Sequence, residues 1–411
     1  MIAKVCSVAP ARDHQRAADL RMDSPSIGLA HTNEDVMALF SRHRGLQSLP
    51  VLQKDGQPIG LINRNIFLAA MTKPYYREIY ARKSCLAFMD KEPMIIEESM
   101  PIDTLSHVAV EAGDKVFSDG FIIVREGRYS GIGYGMDLMR ALADLQQRRH
   151  AQVLESIEYA SIIQHSFLRP AKQALEDVFA QGHFLVWEPR DLVGGDAFFF
   201  TRQVDGWLGV VFDCTGHGVP GAFMTLIAGA AFERALLETG GKDPGQLLAV
   251  VNRHVKNALA QHDSDTGPAG RVSNDGLDAA ALRFDDASRG LSYAGARIPL
   301  IVLPPGAQEC EFVTGERMGV GYAETAHDAQ WTVRTLAVEP GTRLFLATDG
   351  VFDQIGGKKR IAFGKRRLGQ CLLDGASASM GEQKALFMDT FRAYQGQETR
   401  RDDVTLLGLT L

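Results

Sequence analysis

Four aspartates in the C-terminal half of the sequence stand beside apolar, strand-like segments and small turn-forming residues. They occur in the motifs Val193-Gly-Gly-Asp196, Asp213-Cys-Thr-Gly-His-Gly-Val-Pro-Gly221, Thr348-Asp-Gly-Val351 and Arg401-Asp-Asp-Val-Thr405. Carboxylates crowded together without a cation would repel one another and stay protonated. Because hard divalent cations prefer oxygen ligands, a fold that gathers these four side chains would form a divalent metal site.

The chemistry expected of such a site is phosphate hydrolysis. Two adjacent divalent ions lower the pKa of a water held between them and neutralise charge on a transferring phosphoryl group. Hard oxygen ligands without Cys or His side chains favour Mg²⁺ or Mn²⁺ over zinc. Gly194 and Gly195 let the chain approach closely before Asp196. Small residues after Asp213 let the backbone carbonyl of Cys214 face the same site.

Composition excludes several classes of function. The 411-residue chain has a formal net charge of −6, which does not indicate a nucleic-acid-binding surface. Its five cysteines are scattered without a C-x-x-C pair, which suits a reducing cytosol. The longest apolar run, around residues 222–232, is short for a membrane span, and the N-terminus lacks a secretory signal. We therefore expect a cytoplasmic protein of two or three domains that binds neither nucleic acid nor membrane.

The N-terminal third contains an internal repeat. A strand, a turn, a second strand and a helix occupy residues 48–71, and the same order returns in residues 120–142. Two unrelated hairpin–helix units are the alternative explanation. We predict a flexible N-terminus at residues 1–22 and an α/β sensor pair at residues 23–143.

Residues 144–183 are predicted to form a helical linker. Apolar residues recur at three-four spacing in two seams, the first made of Leu138, Leu142 and Leu145 and the second of Val153, Ile157, Ala160 and Phe167. Residues 146–150 break the phase between them. The helix is either an amphipathic connector packed on its own domain or a dimerising signalling helix. Pro170 is expected to kink or end it.

Residues 184–411 show an order of strands and helices that predicts an α+β sandwich and not a doubly wound βαβ sheet. The predicted strands are 184–187, 197–200, 208–212, 279–284, 291–293, 300–303, 343–347 and 404–409, and the predicted helices are 218–238 and 244–260. The polar residues 262–274 are predicted to form a mobile loop over the site. Asp275 and Asp278 are expected at a turn and a strand start, with a third metal as the less favoured alternative.

The motifs and their order resemble the metal-dependent protein phosphatases (type 2C, PPM), in their bacterial SpoIIE-like branch and its SiaA-type members. The resemblance covers about residues 187–411. It implies an αββα sandwich with two Mn²⁺ or Mg²⁺ ions between its sheets, and hydrolysis of phosphoserine or phosphothreonine on a protein. The segments that carry it are Asp213-Cys-Thr-Gly-His-Gly-Val-Pro-Gly-Ala-Phe-Met224, Asn274-Asp-Gly-Leu-Asp-Ala-Ala280, Ala294-Gly295, Thr348-Asp-Gly-Val-Phe-Asp-Gln354, Gly356-Gly357-Lys358 and Phe363-Gly-Lys365.

The same resemblance implies roles for individual residues. Asp213 looks like the carboxylate that bridges both metals, and the carbonyl of Cys214 looks like a ligand of one of them. The remaining ligands implied are Asp196, Asp349 and Asp402. Asp402 is preferred to Asp403 because the family motif places the ligand first in the pair.

The general acid and the phosphate-binding cation are not implied by the match. Eukaryotic members carry a histidine two residues after the bridging aspartate, where this chain has Thr215. His217 lies two residues further on and is predicted to form a hydrogen bond near the start of the following helix. Arg190, Arg297 and Lys358 are candidates for binding phosphate, with ordinary surface charges as the favoured alternative.

Residues 23–143 resemble a pair of CBS domains. Those domains carry a strand, a Gly-Ile strand and a helix opened by aspartate, as in Gly131-Ile132 through Asp137-Leu138. The first copy has Asn65 in place of the acidic helix opener. The resemblance implies an adenine nucleotide as the ligand of the pair.

Three functions are compatible with the sequence. The first is a metal-dependent phosphatase, gated by the N-terminal sensor in a homodimer, that acts on a small phosphorylated regulator: an anti-sigma-factor antagonist of STAS type or a SiaC-like protein. The second is a CBS-type nucleotide-sensing scaffold whose phosphatase-like half is inactive and only docks a partner. The complete aspartate set favours the first. A metal-dependent phosphodiesterase or nucleotide hydrolase ranks third.

Overall fold

The structure is a computed structural model that describes residues 16–261 and 273–411. It divides into two compact units, Met1–Val153 and Leu154–Leu411. Helices and strands occur in both units, in agreement with the predicted α+β class. Most of the predicted loop at 262–274 and the first fifteen residues of the predicted flexible N-terminus lie outside the described residues.

The first unit repeats one topology twice. In each three-stranded sheet the first strand pairs in parallel with the second, which pairs antiparallel with the third. This confirms the predicted internal repeat. The first copy and the short helix after it comprise β1 (Ile27–Gly28), α1 (Asn33–Arg42), β2 (Ser48–Leu52), β3 (Pro58–Asn63), α2 (Arg64–Met71) and α3 (Tyr76–Tyr80). The second comprises β4 (Ile95–Glu97), α4 (Ile102–Ala112), α5 (Lys115–Asp119), β5 (Phe121–Arg125), β6 (Arg128–Gly133) and the start of α6 (Gly135–Phe179).

A short 3-10 helix, Ala17–Leu20, precedes the first copy. Both of its terminal residues are buried, and they pack in one core with Phe121 and Leu138. The ordered part of the unit therefore begins before residue 23. The prediction of a flexible segment extending to residue 22 is wrong for these residues, because their apolar side chains complete the core of the second copy.

Helix α6 contains the predicted linker and runs for 45 residues through Pro170, which does not end it. Leu138 is buried in the core of the first unit, whereas Leu168 and Leu175 are buried in the core of the second. Phe167 also packs on the second core. The predicted helix is present, but the C-terminal part of the predicted linker at 144–183 is not separate, since Leu168 and Leu175 belong to the core of the second unit.

The described residues of the second unit form two five-stranded antiparallel sheets and one small hairpin. The strands are β7 (His183–Glu188), β8 (Asp196–Gln203), β9 (Gly206–Cys214), β10 (Leu277–Asp285), β11 (Gly290–Ala296), β12 (Leu300–Leu303), β13 (Glu311–Val313), β14 (Arg334–Ala337), β15 (Arg343–Ala347), β16 (Ile355–Gly356), β17 (Ile361–Ala362) and β18 (Val404–Thr410). The first sheet has the order β14-β11-β10-β9-β8, and the second has the order β13-β12-β15-β18-β7.

Helices cover the outer faces of both sheets. α7 (Gly218–Thr239) and α8 (Pro244–Ala258) pack on the first sheet, and α10 (Gly364–Asp374) and α11 (Met380–Gln395) pack on the second. Leu344 and Leu346 face the first sheet, whereas Phe345 between them faces α10 and α11. The layers therefore follow the predicted αββα order. A short helix, α9 (Asp349–Asp353), follows β15.

Helix α7 is long and apolar enough, by length and composition alone, to cross a membrane. Half of its most apolar stretch is buried in the second unit, where Phe232 packs on Phe199 and Phe212 of the first sheet. The apolar segment is thus longer than the run at 222–232 recognised in the sequence.

Candidate metal centre

Strand ends from both sheets bring the four predicted aspartates to one place. Asp196 begins β8 and lies opposite Asp213, near the end of β9, in the register of the antiparallel pair. Asp349 begins α9 directly after β15, and Asp402 lies just before β18. Because β15 and β18 are neighbours, each sheet contributes one pair of carboxylates.

A cavity of about 190 Å³ lies where these strand ends meet. Asp213, Asp349 and Asp402 line it, while Asp196 is only 1% exposed. The other lining residues are Cys214, Thr215, Gly216, His217, Asp278 and Tyr322. A larger cavity of about 1010 Å³ lies along β7 between α6 and α11, but no aspartate lines it. We place the chemistry at the smaller cavity because the carboxylates converge there.

Burial and mutual repulsion disfavour charge on these carboxylates. Burial raises the pKa of Asp213 well above its ordinary value, and the charges of Asp196 and Asp349 raise it further. Burial likewise raises the pKa of Asp196 and that of Asp349. It raises the pKa of Asp278 to about 6. A divalent cation would relieve this penalty, because it neutralises several of these charges at once.

The two oxygens of Asp196 show that the residues fit a cation. Oδ2 accepts a 2.7 Å hydrogen bond from Thr348 Oγ1, whereas the buried Oδ1 has no partner within hydrogen-bond distance. Leaving a carboxylate oxygen buried and unpaired is unfavourable, and a hard cation would satisfy it. Across residues 16–261 and 273–411, no group of three or more His, Cys, Asp or Glu side chains is arranged closely enough to hold a metal ion. The fit of this site to a cation therefore depends on the chemical type and the burial of the donor oxygens.

The two aspartates before β18 have different surroundings. Asp403 is 3% exposed, its Oδ1 accepts a 2.6 Å hydrogen bond from Arg190 N, and its Oδ2 accepts one of 2.6 Å from Gly195 N. Asp402 lines the cavity instead. Asp402 is therefore a candidate ligand, whereas Asp403 anchors the loop before Asp196.

Alanine substitutions of Asp402 and Asp403 are expected to have different effects on stability and on metal binding. Asp403→Ala leaves two backbone N–H groups without their acceptor and should lower the free energy of unfolding by about 2–4 kcal/mol. Asp402→Ala removes a carboxylate from a repulsive cluster together with the acceptor of a 2.9 Å hydrogen bond from Asp403 N, so it should lower that free energy by no more than about 1 kcal/mol without metal, while weakening Mn²⁺ binding. Urea denaturation and calorimetric titration measure the two effects. Equal losses of stability would contradict these roles.

A buried glutamine on α6 holds the loop that leads to Asp196. Gln164 is 2% exposed, and its Nε2 donates to the carbonyl of Gly194 at 2.8 Å and to Thr225 Oγ1 at 3.0 Å. Its Oε1 accepts from Gly194 N at 3.3 Å. Gln164 was not identified from the sequence, although a polar side chain four positions after Ala160 interrupts the apolar spacing of the helix.

The glycines before Asp196 permit the predicted close approach. A Cβ at Gly194 would lie 2.6 Å from the carboxylate of Asp403, and one at Gly195 would overlap the carbonyl oxygen of Gly216. Any larger residue would push the Asp196 segment away from the cavity.

His217 immediately precedes α7 and lines the cavity. Its Nδ1 lies 3.0 Å from Asp191 Oδ2, so the predicted hydrogen bond near the helix start is present. Its partner, Asp191, was not identified from the sequence.

Asp278 lies at the start of β10, as predicted, and also lines the cavity. Arg297, one of the candidate phosphate-binding cations, contacts a residue that lines the cavity, because its Nη1 lies 3.3 Å from Asp278 Oδ1.

Two helix-covered antiparallel sheets with carboxylates gathered at their strand ends define the fold of the PP2C-type phosphatases. The chain belongs to the SpoIIE family, since the family's sequence profile, described as stage II sporulation protein E, matches residues 203–411. The profile of the CBS domain matches residues 17–73, the first copy of the N-terminal repeat. Both resemblances recognised in the motifs are thereby confirmed.

Three solved structures are similar to this chain to different degrees. The SiaA-PP2C domain of Pseudomonas aeruginosa is 34% identical, with a TM-score of 0.57, over 64% of this chain and 98% of that chain. The RsbU and RsbW domains of a Mycobacterium tuberculosis protein are 22% identical, with a TM-score of 0.43, over 56% and 60% of the two chains. The SpoIIE phosphatase domain with a regulatory fragment from Bacillus subtilis is 14% identical, with a TM-score of 0.44, over 56% and 62%. No curated protein matches this chain.

Proposed function

We propose that this chain is a Mn²⁺- or Mg²⁺-dependent phosphatase of phosphoserine or phosphothreonine in a small bacterial signalling protein. The convergence of Asp213, Asp349 and Asp402 on one cavity, with Asp196 buried behind it, carries the proposal. The Cys214 carbonyl belongs to the proposed ligand set because its residue lines the same cavity. Two bound cations would supply an activated water and neutralise charge on the phosphoryl group.

The chain's own residues keep the ligand oxygens in place. Thr348 donates a hydrogen bond to Asp196, and Asp403 accepts one from the neighbouring Gly195. Gln164 fixes Gly194 through both its N–H and its carbonyl. Supporting hydrogen bonds of this kind hold ligands near their binding geometry, which reduces the reorganisation needed when a metal binds.

The proposed substrate is a STAS-type anti-sigma-factor antagonist or a SiaC-like regulator. The similarity to the SiaA-PP2C domain, which extends over 98% of that domain, supports this class. A cytoplasmic location is part of the proposal, and the free thiols of Cys85, Cys214, Cys310 and Cys371 support it.

Regulation by the N-terminal unit is a further part of the proposal. The CBS profile match supports an adenine nucleotide as its ligand. Exposed apolar side chains on α6 support a homodimer formed through this helix: Val153 is 57% exposed, Tyr159 is 66% exposed and Ile162 is 62% exposed. Light scattering of the full chain would test the homodimer by its mass.

The function is tested with p-nitrophenyl phosphate and a phosphothreonine peptide as probes. We expect phosphate release from both with Mn²⁺ or Mg²⁺, none with a chelator, and recovery when metal is restored. Release that persists in chelator would contradict the proposal. Hydrolysis of a cyclic dinucleotide but neither probe would favour a phosphodiesterase. Metal binding without hydrolysis of any ester would favour the scaffold function.

A further inference from the structure

A second cavity, of about 340 Å³, adjoins the metal cavity. Arg297 forms the wall between the two: it lines the second cavity, its Nη1 lies 3.3 Å from Asp278 Oδ1, and its guanidinium lies 4.8 Å from the ring centre of Tyr322. Asp278 and Tyr322 both line the metal cavity. A molecule held in the second cavity would therefore lie next to the site of phosphate hydrolysis.

The second cavity has an excess of positive charge. Arg297, Arg317 and Lys365 line it together with one carboxylate, Glu316. The charge of Arg297 is offset by Asp278 at 3.3 Å and by Glu324. Arg317 and Lys365 are exposed, and neither forms an ion pair within the part of the chain that the structure describes. These two cations are therefore available to an external anion.

The positive charge continues along the segment after α9, the helix that Asp349 begins. Residues 357–367 contain six basic residues and no acidic residue, although the whole chain has a net charge of −6. Lys358 and Lys359 are exposed at the turn of the β16–β17 hairpin, and Lys365 and Arg366 lie in the first turn of α10. Cations are unfavourable at a helix N-terminus. The helix dipole therefore does not explain Lys365 and Arg366, although Lys365 Nζ also lies 5.8 Å from the ring centre of Phe312.

We propose that these side chains form a docking surface for an acidic segment of the phosphoprotein substrate. We call it the basic face, and it comprises Arg317, Lys358, Lys359, Lys365 and Arg366. The inference rests on the proposed function and specifies how its substrate is recognised.

Charge complementarity favours an acidic peptide segment as the ligand of the basic face. Among the described residues no Lys or Arg lines the metal cavity, so acidic residues that flank the phosphorylated side chain would find side chains of opposite charge only outside it. The basic face begins beside the metal cavity, where Arg317 and Lys365 line the second cavity and offer opposite charge. Complementary surface charges steer an encounter and fix its orientation, and added salt weakens both effects.

The test compares two phosphothreonine peptides of equal length, one with aspartates on both sides of the phosphothreonine and one with serines there. At low salt we expect kcat/KM to be about tenfold higher for the acidic peptide, chiefly through KM, and the preference to shrink at high salt. The double variant Arg317→Glu with Lys365→Glu should lose the preference or reverse it. The ratio of the two peptides is the readout, because a loss of folding or catalysis affects both equally.

Arg234→Glu with Lys242→Glu is the matched control, because it changes the net charge equally at two exposed positions of the same unit. It should retain the preference. Equal kcat/KM for the two peptides on the wild type would overturn the docking inference and leave the phosphatase function intact. A single-stranded oligonucleotide that inhibits more strongly than an unphosphorylated acidic peptide would overturn it in favour of a general polyanion surface. If the wild type hydrolyses neither peptide nor p-nitrophenyl phosphate with metal present, the proposed function fails and the inference with it.

Discussion

Replacing Asp213 by asparagine is expected to lower Mn²⁺-dependent hydrolysis of p-nitrophenyl phosphate by at least about 10³-fold, on the order of 4 kcal/mol of barrier. Asp213 lines the cavity at the border of the two sheets, and the charges of Asp196, Asp349 and Asp402 all act on it. Asparagine preserves the size of the side chain but removes the charge that would hold a cation. Steady-state rates at saturating Mn²⁺ measure this loss.

The same substitution should not destabilise the protein in the absence of metal. A neutral amide relieves the repulsion within the buried carboxylate cluster, so the thermal midpoint in chelator should equal or exceed that of the wild type. Metal at about 1,000 times its dissociation constant stabilises a protein by about 4 kcal/mol. For a unit of this size we expect a wild-type increase of roughly 8–16 °C in the thermal midpoint, most of which Asp213→Asn should lose.

Asp328→Asn serves as the control, because Asp328 is an exposed aspartate of the same unit outside the cavity. It should retain both the activity and the shift of the thermal midpoint caused by Mn²⁺. If Asp213→Asn kept the wild-type metal shift, the assignment of this carboxylate to the metal centre would be wrong, whatever the activity.

Replacing Gln164 by leucine is expected to raise the Mn²⁺ concentration for half-maximal activity by about tenfold or more. The substitution leaves the buried N–H and carbonyl of Gly194 without their partner, and each loss costs about 1–3 kcal/mol, whereas the Thr225 hydroxyl still donates to the Ala222 carbonyl. The loop before Asp196 can recover these bonds only by moving. A metal would then have to reorganise the loop on binding, so its affinity falls more than kcat.

Activity as a function of Mn²⁺, together with amide hydrogen exchange of residues 191–196, measures this effect. Gln173→Leu is the matched control: Gln173 lies on the same helix, and its hydrogen bond to Asp177 is exposed. Gln164→Glu provides a second variant of nearly unchanged shape that cannot donate to Gly194. Unchanged metal dependence in both Gln164 variants would show that α6 does not act on the metal centre through this side chain.

Local patterns predicted eight of the twelve strands that the structure describes in the second unit, because these eight are apolar runs bounded by turn residues; the short strands β13, β14, β16 and β17 were missed. The two helices on the outer face of the second sheet, α10 and α11, were missed. A signal for α11 was present: Ser379 and Glu382 have the spacing of a capping box, and the structure shows the reciprocal hydrogen bonds. Pro170 does not end α6, which continues for nine residues beyond it to Phe179, and a kink at this proline stays a prediction.

The sequence by itself indicated the family and the candidate site residues, because an aspartate beside an apolar strand and small residues is a local arrangement that the chain carries in its order. Two features were decided only by the tertiary structure. One is which of Asp402 and Asp403 faces the cavity, and the other is the pair of hydrogen bonds through which Gln164 holds Gly194. Asp403 accepts its hydrogen bond from Gly195 across a separation of 208 residues. Contacts over such distances depend on how sheets and helices pack, and neighbouring residues along the chain do not encode them.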